Sequence, residues 1–177
     1  MLRLFVGIDL PPELKLRLSV MMGGLPGAKW VDSGNLHLTL RFIGEVERPV
    51  ANDVAASLTR IRFPPFDLRI NGIGRFDRRS GGALWAGVEP RKPVAELAAK
   101  VDRACVEAGL EPERRAFHPH ITLARYNRRG AAAAAEFERR FSGLSSDPFQ
   151  VANFVLFESR LSRHGAHYEP ITSCELR

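Results

Sequence analysis

His37-Leu38-Thr39-Leu40 returns 83 residues later as His120-Ile121-Thr122-Leu123, and this near-verbatim repeat constrains the chain more than any other feature. Each copy sits in an apolar, strand-like run. Side chains at i and i+2 of a strand share a face. Each copy therefore sets an imidazole beside a hydroxyl, while Leu38, Leu40, Ile121 and Leu123 turn into a core. An imidazole titrates near about 6.5 and exchanges protons at neutrality. Two of them across a substrate can serve as general base and general acid, and the threonine hydroxyls can hold oxyanions.

The repeat extends beyond four residues. The offset of 83 also carries Phe66-Asp67-Leu68-Arg69-Ile70 onto Phe149-Gln150-Val151-Ala152-Asn153 without a gap. Phe5-Val6-Gly7-Ile8-Asp9-Leu10-Pro11 matches Trp85-Ala86-Gly87-Val88-Glu89-Pro90 at an offset of 80. Strand, helix, His-x-Thr strand, helix and strand recur in that order. The expectation is an α+β chain, one bilobal domain over residues 1–177 built by internal duplication, with repeat units of approximately 1–80 and 81–177. The lobes are antiparallel sheets related by a pseudo-two-fold axis, with helices outside and a central cleft. A parallel doubly wound sheet is the weaker alternative, because no Gly-rich phosphate loop occurs.

The chain between the motifs fits this outline. Leu4 to Leu10 reads as a buried strand followed by a helix bearing Leu14, Leu18 and Met21, and Asn52 or Asp53 is expected to cap a helix carrying Val54, Leu58 and Ile61. A third helix runs from about Pro93 to Ala108 with Val94, Leu97, Val101 and Ala104 on one face. The alanine-rich run Ala131 to Phe141 makes the fourth.

With 26 basic against 20 acidic residues the formal charge is +6, which invites a polyanionic partner such as nucleic acid. Cys105 and Cys174 lie far apart with no C-x-x-C pair, an arrangement that fits a reducing cytoplasm better than a disulfide framework. The first ten residues are too short an apolar run for a signal peptide, and no stretch approaches about 18 apolar residues. His118-Pro119-His120 and His164-x-x-His167 lack the cysteine or carboxylate that would complete a zinc set. No metal is therefore expected.

The two motifs, with Phe117-His118-Pro119 before the second and Ala124-Arg125 after it, resemble those of the two-histidine (2H) phosphoesterases. Within them the chain is most similar to the prokaryotic RNA 2′,3′-cyclic phosphodiesterases, long called 2′-5′ RNA ligases. The likeness runs from Leu4-Phe5-Val6-Gly7-Ile8 through Trp30-Val31 and Asn35–Gly44 to the C-terminal strand. It implies hydrolysis of RNA 2′,3′-cyclic phosphate ends to 2′-phosphomonoesters, without metal or cofactor. His37 would be the general acid releasing the ribose 3′-oxygen and His120 the general base. The residues alone leave the opposite polarity open. The implied partners are RNA with 2′,3′-cyclic phosphate termini, tRNA fragments or small cyclic nucleotides, met by a cytoplasmic monomer with no membrane contact.

Arg125 matches the family's arginine after the second motif and would clamp phosphate beside Thr39 and Thr122. Five residues from His120, it points away in an ideal strand, so the strand must end or bulge before it. Arg41 reads as a solvated strand-end residue, or else as a partial counterpart of Arg125. Phe42, Phe117 and Tyr126 flank the motifs and are the candidates for stacking on a base. An ATP-independent 2′-5′ RNA ligase is the same site run in reverse. A basic RNA-binding module without turnover is the reading of a different class.

Overall fold

Residues 1–177 are all described by a computed structural model. The elements run β1 (Leu2–Asp9), α1 (Pro12–Met21), β2 (Ala28–Trp30), β3 (His37–Val46), α2 (Arg48–Leu58), β4 (Phe66–Arg78) and β5 (Gly81–Glu89). There follow α3 (Arg91–Glu107), β6 (His120–Asn127), α4 (Ala131–Arg140), β7 (Phe149–Val151), β8 (Asn153–Ser162) and β9 (Gly165–Glu175). The strands lie in the order β7-β4-β5-β6-β3-β1-β8-β9, with β2 laid on β6, and every pairing is antiparallel. This is the α+β architecture expected from the repeat. No helix is long and apolar enough to cross a membrane.

The sheet turns about one residue pair. β3 and β6 meet only at Leu38↔Ile121, the middle of the two motifs. Outward from it, β3 is followed by β1 and β8, and β6 by β5 and β4, so each half repeats the other about that pair. The ladders correct the gapless register read from sequence. Ile8 lies opposite Leu38 and Ala86 opposite Ile121, which matches Ile8 to Ala86 at an offset of 78 rather than 80. Phe66 to Leu68 is not the counterpart of Phe149 to Val151. The two segments pair with each other, Phe66 opposite Val151, at the sheet's far end. The cause is a shift in β4 between Ile70 and Ile73, where Gly72 has φ 76°, a left-handed conformation open to glycine.

Helices cover the core face. α3 buries Val94, Leu97, Ala98, Val101, Ala104 and Cys105, so its apolar residues recur at helical spacing. α2 begins at Arg48 with Pro49 in its first turn, where a missing N–H costs nothing. Asn52 and Asp53 consequently fall inside the helix instead of capping it. Thirty-six buried residues, Leu38, Leu40, Ile121 and Leu123 among them, form one continuous core.

Arg41 is not a solvated strand-end residue. Only 8% exposed, it forms an ion pair with Asp102 of α3 and donates from Nη2 to the Glu111 carbonyl at 2.6 Å. Asp102 also accepts the Glu113 N–H at 3.0 Å. Asp102 is 29% exposed, so breaking the pair costs less than the ~3–5 kcal/mol of a fully buried one, but it still strands the Arg41 charge. Arg41 thus ties β3 to the segment that leads into His120.

Candidate active site

His37, Thr39, His120 and Thr122 are half-buried on one face, with Leu38, Leu40, Ile121 and Leu123 at most 5% exposed on the other. Continuing the antiparallel register outward from Leu38↔Ile121 sets His37 alongside Thr122 and Thr39 alongside His120. The imidazoles stand at opposite corners of a rectangle and the hydroxyls occupy the other two.

A bulge on each strand completes the site. The β1–β3 ladder shifts between Val6 and Gly7, and the β5–β6 ladder between Leu84 and Trp85. In consequence Leu40 and Arg41 are buried in succession, as are Leu123 and Ala124. One extra residue reverses the alternation of everything beyond it. Phe42 and Arg125 therefore return to the histidine face, which resolves the parity of Arg125. Phe42 is the positional match of Arg125, and Arg41 that of Ala124.

The imidazoles are held alike. His37 Nδ1 donates to the Asn35 carbonyl at 2.7 Å and His120 Nδ1 to the His118 carbonyl at 2.6 Å. A carbonyl only accepts, so each neutral ring carries its proton on Nδ1 and presents Nε2 as an acceptor. Nε2 of His37 accepts the Thr39 hydroxyl at 2.9 Å. Rings fix the orientation further: Phe5 and Tyr168 lie 4.7 and 5.2 Å from His37, and Phe76 lies 5.1 Å from His120. His118 itself packs against Trp85 at 4.9 Å.

A cavity of about 290 Å³ opens on the His37 side of the motifs, lined by His37, Thr39, Phe42, Thr122 and Arg125 with Arg3, Phe5 and Tyr168, while His120 stands outside its lining. Of the three stacking candidates only Phe42 belongs to it, 44% exposed, with the Arg3 guanidinium 5.5 Å from its ring centre. Phe117 is exposed but lies off this cavity. Tyr126 is 5% exposed and donates to Asp77 at 2.7 Å, so it is a core residue and no stacking platform. The same bulge that brings Arg125 out turns Tyr126 in. Phe5, Tyr168 and Arg3 escaped the sequence reading because β1 and β9 carry no motif.

Burial lowers the pKa of both histidines, despite the carbonyl bonds that oppose it. Asp9 also opposes it at His37, whereas His118 and Arg125 add to it at His120. Both rings are consequently neutral at neutrality in the free protein. General acid–base work needs one ring protonated and the other not. Activity is lost as pH rises through the acid's depressed pKa and as pH falls through the base's. The kcat/KM profile for a cyclic-phosphate substrate should therefore peak on the acid side of neutrality. A bound phosphate favours imidazolium and moves the kcat optimum upward. A kcat/KM optimum above neutrality would contradict this site electrostatics.

Comparison with known proteins agrees with the geometry. Residues 15–163 match the model of the 2′-5′ RNA ligase superfamily. The RNA 2′,3′-cyclic phosphodiesterase of Aeropyrum pernix is 34% identical over 89% of this chain and 90% of its own. That of Escherichia coli is 30% identical over 96% and 93%. The crystal structure of E. coli LigT complexed with 3′-AMP superposes with a TM-score of 0.78 at 28% identity, covering 99% of this chain and 98% of that one. With its two His-x-Thr strands joined at a single residue pair and most of its length matched by such relatives, the chain belongs to the 2′-5′ RNA ligase superfamily.

Proposed function

We propose that this protein is an RNA 2′,3′-cyclic phosphodiesterase that opens the cyclic phosphate by metal-independent acid–base catalysis and leaves a 2′-phosphate. The observation that carries the reading is the pair of imidazoles, each anchored through Nδ1 and diagonal to the other across one face. His120 Nε2 takes a proton from water, the water oxygen bonds to phosphorus, and the bond from phosphorus to the ribose 3′-oxygen breaks in line. His37 Nε2–H supplies the proton that the 3′-oxygen needs. Thr39, Thr122 and Arg125 receive the charge that grows on the non-bridging oxygens. The polarity follows the family resemblance and not the charges around the rings: at His37 the pull of Asp9 is opposed by Lys15 and His120, and at His120 His118 and Arg125 favour the neutral form. Every proton has a donor and an acceptor without a metal.

RNA ends are the substrates named for the relatives, and the relative complexed with 3′-AMP supports a cleft of nucleotide size. tRNA fragments and small cyclic nucleotides fit the same chemistry. Two buried, unpaired cysteines agree with a reducing, cytoplasmic setting. The two-fold pairing about Leu38↔Ile121 supports descent from a duplicated unit.

The reading is tested by incubating the protein, in EDTA, with a short RNA ending in 2′,3′-cyclic phosphate and a second RNA bearing a 5′-hydroxyl. The expected product is the 2′-phosphomonoester. A joined 2′-5′ product in excess would make the protein a ligase first. Binding without turnover would make it an RNA-binding module.

A further inference from the structure

We propose that a second, smaller cavity at the β4–β5 hairpin is a phosphate subsite for the phosphodiester on the 5′ side of the nucleotide bearing the cyclic phosphate. This rests on the RNA reading above and extends it from a chain end to a chain.

The residues that line the cavity, about 190 Å³, include Phe76, Arg78, Ser80, Gly81, Arg125 and Tyr126. Arg125 also lines the first cavity, so one guanidinium borders both spaces. The two open on the same face of the sheet. Phe76, whose ring stands against His120, lies in one cross-strand row with Ala83 and Arg125. Arg78 is two residues further along β4, hence on that same face, in a row with Gly81 and Asn127. Two strand residues span about 7 Å and two strand spacings about 10 Å, so the Arg78 and Arg125 backbones stand roughly 12 Å apart and their long side chains border one space between them.

The lining suits an anion rather than a base. Arg78 and Arg125 make no ion pair, although Arg75 nearby is paired with both Asp77 and Glu138. Asp77 is engaged by Arg75 and by the Tyr126 hydroxyl, so it is not free to neutralise Arg78. Two guanidiniums sharing one small space repel each other, and a phosphodiester between them relieves that repulsion while offering oxygens for forked hydrogen bonds. The floor is bare at Gly81, where φ is 142° and an added Cβ would run into the backbone of Tyr126 and Asn127. Ser80 supplies one further donor. Aromatic surface is concentrated in the first cavity, with Phe5, Phe42 and Tyr168, where a terminal nucleoside would lie.

The test compares kcat/KM for a mononucleoside 2′,3′-cyclic phosphate with that for a trinucleotide ending in the same cyclic nucleotide. It uses wild type, Arg78→Ala, Arg78→Lys and Arg139→Ala, the last an equal loss of charge on α4, away from both cavities. Wild type should prefer the trinucleotide. Arg78→Ala should reduce the trinucleotide-to-mononucleotide ratio roughly tenfold, the scale of one charge-assisted contact, while Arg78→Lys restores part of it and Arg139→Ala leaves it intact. The salt dependence of the trinucleotide reaction should also weaken by about 0.7 in log–log slope, one single-strand phosphate contact. An unchanged ratio in Arg78→Ala, or an equal fall in Arg139→Ala, overturns the subsite. If wild type turns over neither substrate, the proposed function fails separately. Anisotropy of a 5′-labelled trinucleotide then decides the subsite: weaker binding in Arg78→Ala alone supports it, and equal binding refutes it.

Discussion

Replacing His120 or His37 with alanine is expected to lower the rate of cyclic-phosphate opening by roughly 10²- to 10⁴-fold each, the usual value of a positioned proton-transfer partner. The loss should fall on kcat, because proton transfer is realised only in the transition state. The double variant should lose much less than the product of the two effects. With no base to generate the nucleophile, an acid waiting at the leaving oxygen contributes little. Folding should survive both changes. The two rings lie on the cleft face, and the core behind them is closed by Leu38, Leu40, Ile121 and Leu123. Both variants give up ring contacts, His37 with Phe5 and Tyr168 and His120 with Phe76, but only His37 also loses a threonine bond, so its variant should be the less stable of the two. Single-turnover rates beside denaturation midpoints separate these effects. A loss of less than tenfold in a folded variant would remove that histidine from the chemistry.

Arg125→Ala is expected to cost roughly 10²- to 10³-fold, the magnitude found when one donor to a developing oxyanion is removed. Arg125 is exposed, makes no ion pair and borders both cavities, so its charge is uncommitted until an anion arrives. Arg125→Lys should recover only part of the rate, because an ammonium keeps the charge but not the fork. Loss of Arg125 also removes a cation from the neighbourhood of His120. The acidic limb of the profile, which the base sets, should then shift to higher pH, since a nearby cation lowers the pKa of that ring. A variant with wild-type kcat/KM, or with unfolding in place of lost activity, would place Arg125 outside the site.

Much of this arrangement is legible in the chain. The His-x-Thr repeat fixes which residues share a face, because period two is a property of any strand, and the proline and glycine punctuation separates the helices. The bulges are legible only in part: the resemblance that brings Arg125 to the site asks for a strand end or a bulge before it, without saying which. Nothing local in Leu40-Arg41 or Leu123-Ala124 announces an extra residue, yet those two insertions decide that Phe42 and Arg125 face the cleft and that Tyr126 does not. The fate of Arg41 depends on Asp102, 61 residues away, and charge pattern near a strand end does not reveal a buried partner at that distance. The gapless repeat misled for the same reason: similar strings at a constant offset take no account of residues absorbed by the shift at Gly72, and the segments matched in sequence pair with each other in space.

The central claim, that the two histidines divide acid and base work across one phosphorus, is tested most directly with a 2′,3′-cyclic substrate whose 3′-oxygen is replaced by sulfur. A thiol of pKa about 8.5 leaves without protonation, so the general acid becomes dispensable while the base does not. The expected result is that the sulfur substrate restores His37→Ala to near the wild-type rate and leaves His120→Ala slow. Equal rescue of both variants, or of neither, would contradict the division of labour.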